Sequence, residues 1–202
     1  MMRFHLLANW VNEHGWTHGA EIGVQGGKTM SHLMQSCPDL HMLAVDPWAP
    51  TETGIPIQTE IFQIWQHAQN LEKVEKIAED SGGRVRIMRM LSTEAAYMID
   101  DLSLDFVFID GDHSVESAYD DITAWFPKVR HGGMMIGHDY NWPSVKFVVD
   151  NLIPQFTLHE NNCWAFNVDD GLASWIGSPA EAKKYNMEAD RAYKDSHLHP
   201  NK

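Results

Sequence analysis

The chain has 202 residues, 44% of them hydrophobic and 21% charged, a balance that suits one globular unit with a sizeable core. A formal net charge of -13 argues against a nucleic-acid partner, which would need Lys and Arg to displace counterions, and points to a small-molecule partner instead. With only two cysteines, no bilayer-length apolar run and an amino terminus broken early by Asn9, Asn12 and Glu13, the chain does not read as a disulfide scaffold, a membrane protein or a signal-bearing one, and a cytoplasmic location is expected.

Met2 to about His14 predicts an amphipathic helix with Phe4, Leu7 and Val11 on one side and Gly15 as its stop. Gly19 to Gly23 reads as the first strand and Gly23 to Gly27 as a tight turn. The following helix carries Met30, Leu33, Met34 and Cys37 at helical spacing, and Cys37-Pro38-Asp39 closes it. The second strand, His41 to Val45, ends on Asp46-Pro47. Trp48 to Pro56 is a loop. The long helix after it sets Ile57, Ile61, Ile64, Ala68, Leu71, Val74 and Ile77 on one face and ends at Ser81-Gly82-Gly83. Val85 to Met88 is a third strand, wet on the face of its alternating arginines, and Thr93 to Met98 is a short helix.

Asp105 to Asp110 is a fourth strand of β-forming residues. Val115, Ala118, Tyr119, Ile122, Trp125 and Phe126 mark a helix stopped by Pro127. His131-Gly132-Gly133 turns into a fifth strand, Met134 to Gly137, which ends on His138-Asp139. Asn141-Trp142-Pro143 opens a helix with Pro in its first turn. Gln155 to His159 and Cys163 to Val168 form two closing strands around Glu160-Asn161-Asn162. Ser178-Pro179-Ala180-Glu181 has the form of a capping box for a polar terminal helix. Strands alternating with helices predict an α/β fold: a mostly parallel sheet, helices on both faces and a closing antiparallel hairpin. One domain is expected over 1–177, with the N-terminal helix at 1–14 and a polar tail at 178–202.

Two stretches carry chemistry. Asp110-Gly111-Asp112-His113 packs two carboxylates and an imidazole at a strand end, where an open parallel sheet binds its ligands. A strand-to-helix turn capped by Asp112 or His113 would use the same residues. The second stretch is Glu21 to Thr29. A Walker A loop would need glycine at position 22, which is Ile22. A dinucleotide fingerprint would need it at position 25, which is Gln25. What fits is Glu21-x-Gly23-x-x-x-Gly27.

That pattern resembles the first motif of the class I S-adenosylmethionine-dependent methyltransferases. The resemblance implies a doubly wound, seven-stranded Rossmann-like sheet. Glycines admit the cofactor to the backbone, and Glu21 suits a cationic amino-acid end that carries no phosphate. Asp46 stands where an acid accepts hydrogen bonds from ribose hydroxyls, though a turn acid before Pro47 would look the same. By position, Ser92 falls in the loop that meets adenine, and Asp110 completes the cofactor set. Trp48 is either a wall of this site or core.

From Asp105 to Asp139, the I-D-G-D-H, the helix, the G-G turn and the H-D-Y are similar to the macrocin-type small-molecule and sugar O-methyltransferases. The resemblance implies S-adenosylmethionine as methyl donor, a small hydroxylated metabolite or sugar as acceptor, and a general base at His113. It also implies Mg²⁺ or Mn²⁺ at Asp110 and Asp139. The family's third ligand is an acid beside the second Asp or an Asn just after it. Here His138 and Tyr140 flank Asp139, so His138 is the alternative ligand and metal dependence stays open. Two readings stand beside this one: a metal-independent methyltransferase acting on an amine or hydroxyl, and a catalytically silent methyltransferase fold. A homo-oligomer is compatible with the polar tail, for which a solvated role is the simpler expectation.

Overall fold

The computed structural model describes residues 2–49, 60–153 and 155–168, with backbone alone at 60–63. The capping box at Ser178, the terminal helix and most of the Trp48 to Pro56 loop lie outside the described residues. In chain order the elements are α1 (Arg3–His14), β1 (His18–Ile22), α2 (Lys28–Ser36), β2 (His41–Val45), α3 (Glu60–Asp80), β3 (Val85–Met88) and α4 (Ser92–Tyr97). Then follow β4 (Leu104–Ile109), α5 (Val115–Trp125), β5 (Val129–Gly137), α6 (Pro143–Leu152), β6 (Thr157–His159) and β7 (Cys163–Asn167).

The strands form one seven-stranded sheet in the order β3-β2-β1-β4-β5-β7-β6. Strands β1 to β5 pair in parallel, and β7 runs antiparallel to both β5 and β6. The expected doubly wound sheet and closing hairpin are both present. The strand order reverses between β1 and β4, the crevice where such sheets take their ligands.

Every residue of β4 is buried, which is why Phe106 to Ile109 is a continuous apolar run rather than an alternating one. Alternation instead sorts its side chains between two layers. Phe106 and Phe108 join the core with Leu7 and Val11 of α1, Met30 and Leu33 of α2, and Val74 of α3. Val107 and Ile109 join the opposite core with Ala95, Ile122, Trp125 and Val149 from α4, α5 and α6. Cys37 and Cys163 are buried and unpaired. Among the described residues, no helix is long and apolar enough to cross a membrane.

Two expectations need correction. The fifth strand starts at Val129, not Met134, and Gly132-Gly133 lies inside it. The pairing with β4 shifts register between Leu104 and Phe106, opposite the glycines, so the pair marks a bulge rather than a turn. The apolar face of α3 is only partly covered. Val74 is buried and Leu71 and Ile77 are half-buried, but Ile64 is 57% exposed. Helical periodicity reports an apolar stripe without reporting how far the neighbouring layer extends beneath it.

Candidate active site

The glycine turn is tied to both neighbouring strands. Gly23 donates its N–H to the Val45 carbonyl at 2.9 Å, and Asp110 donates to the Ile22 carbonyl at 2.8 Å. Gly23 has φ +85°, and a Cβ there would lie 2.4 Å from the Asp110 carbonyl oxygen. Only glycine lets the ends of β1 and β4 close this far. Lys28, the lysine that a phosphate loop would turn toward its ligand, holds its amine 5.4 Å from the centre of the Phe4 ring.

Asp46 locks the turn to the end of β2. Its Oδ2 accepts the Gln25 N–H at 2.8 Å, and its Oδ1 accepts the Trp48 N–H at 2.7 Å. The Trp48 indole N–H in turn donates to the Gln25 carbonyl at 2.8 Å, so this buried tryptophan is at once core and a wall of the turn. Glu21 is 2% exposed, and its Oε2 has no hydrogen-bond partner. Burial, and then the negative charge of Asp110, hold its carboxyl well above the ordinary range, with Arg3 and Thr29 acting against them. A buried carboxyl oxygen without a partner is costly, and a cationic ligand would relieve that cost.

At the ends of β4 and β5 the acid and imidazole groups converge. His113 Nε2 lies 2.6 Å from Asp139 Oδ2. His138 Nδ1 lies 3.0 Å from the same oxygen and 3.3 Å from Asp110 Oδ1, close enough for ion pairing but directed at neither as a hydrogen bond. Burial lowers the His138 pKa, but the two carboxylates outweigh it and raise the value to about 9. Hydrogen bonding to Asp139 raises His113, with burial opposing it. Burial alone would raise Asp139, yet its two imidazole partners hold it well below the carboxylate range. Asp139 has φ +57°, a left-handed conformation that turns its carboxylate back toward β4.

One ligand atom each from Asp110, His138 and Asp139 lies within 4.8 Å of the others. The sequence places Asp110 at the end of β4 and His138 with Asp139 at the end of β5; parallel pairing of Ile109 with Gly137 sets them side by side. Trp142 is 42% exposed, and its ring stands 4.6 Å from that of His113, flanking the open side of the cluster. Asp112 accepts the Ser114 N–H at 2.8 Å, and the Ser114 hydroxyl accepts the Ser117 N–H, so Ser114 is the helix cap and Asp112 braces the turn before it.

Glu21, Gly23, Gly27, Asp46, Asp110, His113, His138 and Asp139 thus line one edge of the sheet. Ser92 begins α4 beside them, but its hydroxyl accepts the Trp125 indole N–H at 2.8 Å and bonds to the buried Asp121. Sequence reasoning missed Arg3. From the first turn of α1, its Nη2 reaches Asp110 Oδ2 at 2.9 Å. The helix pattern signalled the apolar side of α1, and nothing in it distinguished one terminal arginine from a solvated one.

A family model described as a methyltransferase domain matches residues 20–140, from β1 to just past β5. An uncharacterized protein of Acanthamoeba polyphaga mimivirus is 26% identical over 175 residues, 83% of this chain and 74% of that protein. Among solved structures, an O-methyltransferase from Bacillus cereus in complex with SAH matches 82% of this chain and 80% of its own at TM-score 0.57 and 16% identity. The O-methyltransferase of tomaymycin synthesis from Streptomyces achromogenes, in complex with SAM, matches 82% and 79% at TM-score 0.58 and 13% identity.

Proposed function

The chain belongs to the methyltransferase-domain family, and from that premise we propose that it moves the methyl group of S-adenosylmethionine to a hydroxyl oxygen of a small metabolite or sugar, in the manner of the macrocin-type enzymes. The observation that carries the proposal is the pairing of His113 with Asp139 beside the Gly23 to Gly27 turn. A proton acceptor and a cofactor cradle share one edge of the sheet.

The residues fit the cofactor. The buried, unpartnered Glu21 oxygen suits a close-lying ligand with a cationic end. Glu21 and Asp110 take its ammonium group, Asp46 its ribose hydroxyls, and the backbone near Ser92 its adenine. When bound, the cofactor supplies an electrophilic methyl group on sulfonium. Asp139 holds the Nε2 side of His113, which leaves Nδ1 as the nitrogen that takes the acceptor's proton. Trp142 offers an aromatic wall to the acceptor at that imidazole.

The donor set also fits a divalent cation. Two carboxylates and an imidazole nitrogen already converge, and His138 Nδ1 is buried without a hydrogen-bond partner. Asp110, Asp139 and His138 would hold the ion, with the imidazole favouring Mn²⁺ over Mg²⁺. Such an ion would favour ionisation of the acceptor hydroxyl. One observation favours a second, metal-independent reading: the Arg3 guanidinium already supplies a positive charge at Asp110. Activity that survives excess EDTA selects that reading.

The test is a calorimetric titration of the protein with S-adenosylhomocysteine, with and without Mn²⁺ or Mg²⁺, beside Asp46→Ala. Micromolar binding that the variant loses supports the proposal. Absence of binding under all conditions overturns it.

A further inference from the structure

The edge of the sheet at the glycine turn is rich in carboxylates. Glu21, Asp46 and Asp110 end β1, β2 and β4, and each electrostatically opposes a further negative charge. The amino-acid end of the proposed cofactor is a zwitterion. Acids account for its ammonium group and repel its carboxylate, so a compensating cation is needed within the same site.

Arg3 meets that need. Its Nη2 touches Asp110 Oδ2 at 2.9 Å, and its Nε is buried without a hydrogen-bond partner. A guanidinium has five N–H donors in a rigid fork matched to carboxylates, and one contact to Asp110 leaves most of that fork unspent. Its charge also reaches Glu21, whose Oε2 is likewise buried without a hydrogen-bond partner.

The placement is built rather than incidental. Leu7, Ala8 and Val11 pin α1 into the core that holds Met30, Leu33 and Phe108. Next to Arg3, the Phe4 ring stands 4.8 Å from the His32 ring of α2, with the Lys28 amine on its face. The first turn of α1 is therefore fixed against α2, directly behind the glycine turn.

We infer that Arg3 is the residue that receives the carboxylate of the cofactor's amino-acid end, dividing the zwitterion between a guanidinium from α1 and the acids of the sheet edge. The inference rests on the S-adenosylmethionine reading and assigns α1 to the binding site rather than to packing alone.

Paired titrations of the full chain test it. S-adenosylhomocysteine is compared with its decarboxylated analogue, which keeps the ammonium and lacks the carboxylate, on wild type, Arg3→Ala and Arg3→Lys. Arg3→Ala is expected to weaken S-adenosylhomocysteine about 10- to 100-fold, the range for a lost charged hydrogen-bonded contact. The same variant should leave the analogue unchanged or bind it more tightly, because Asp110 loses its competing partner. Arg3→Lys should recover part of the loss. Unchanged binding of the analogue also shows that the variant is folded. Equal losses for both ligands, or no loss for either, would overturn the inference while leaving the cofactor reading intact. If wild type binds neither ligand, the cofactor reading fails and takes the inference with it.

Discussion

His113 and Asp139 leave the sheet from different strands, yet His113 Nε2 lies 2.6 Å from Asp139 Oδ2. The parallel pairing of β4 with β5 makes the contact, and it fixes which imidazole nitrogen stays free. Replacing His113 with Asn should cut methyl transfer about 10²- to 10⁴-fold, the usual contribution of a positioned base. Affinity for S-adenosylhomocysteine should stay within about threefold of wild type. Labelled methyl transfer to a panel of hydroxylated acceptors, read beside calorimetry, checks both halves.

Gly23→Ala sets a Cβ against the Asp110 carbonyl in a backbone region that side chains avoid. The ends of β1 and β4 must separate, and an expected loss of about 2–4 kcal/mol follows from strain and lost pairing together. Urea unfolding reads the stability, and titration should show cofactor binding abolished even where the variant stays folded. Gly137→Ala offers a contrast. Its Cβ would fall 2.1 Å from an indole carbon of Trp164, a side chain of the core, so stability should drop through repacking there.

Asp121 is buried, and burial pushes its pKa up to about 7 despite the bond from Ser92. The unfolded carboxyl titrates near 4, so between about pH 4 and 7 the native state holds the extra proton. Its contribution is complete below that window and is lost as pH rises through about 7. Asp121→Asn should therefore be more stable than wild type at pH 8, by at most about 4 kcal/mol, and should flatten the fall in melting temperature from pH 5 to 8.

Asp105 works at the opposite end of β4. It accepts the N–H groups of Thr17 and His18 at 2.7 and 2.8 Å and Arg130 Nε at 2.6 Å. Burial raises its pKa, but Arg130 and the two amides outweigh that and hold it below the ordinary value. The stabilisation is present above about pH 4 and lost as pH falls through the lower native value. Asp105→Ala should cost about 2–3 kcal/mol by chemical denaturation, since it strands two amides at the start of β1.

The elements were legible because each carries its own period or punctuation. His41 to Val45 and Val85 to Met88 match the observed strands residue for residue, and the helix after β4 buries the face its spacing marks. The site was legible where chemistry clusters locally, as in Asp110 to His113. What the sequence left unread depends on distance. Arg3 matters because α1 docks on α2, and Asp121 because α5 turns it beneath Ser92. The glycine pair in β5 misled because a bulge and a turn ask the same freedom of the backbone.

The contact between Gly23 and Asp110 has a consequence for the order of folding. Strands β1 and β4 are neighbours in the sheet, but β2, β3 and three helices separate them along the chain. A nascent chain that has made the glycine turn but not β4 has no floor beneath that turn. The pocket is thus completed by one of the slower, long-range closures of the fold. Ligand affinity should therefore report completed assembly rather than local order, and saturating ligand should protect β1 and β4 amides from hydrogen exchange together.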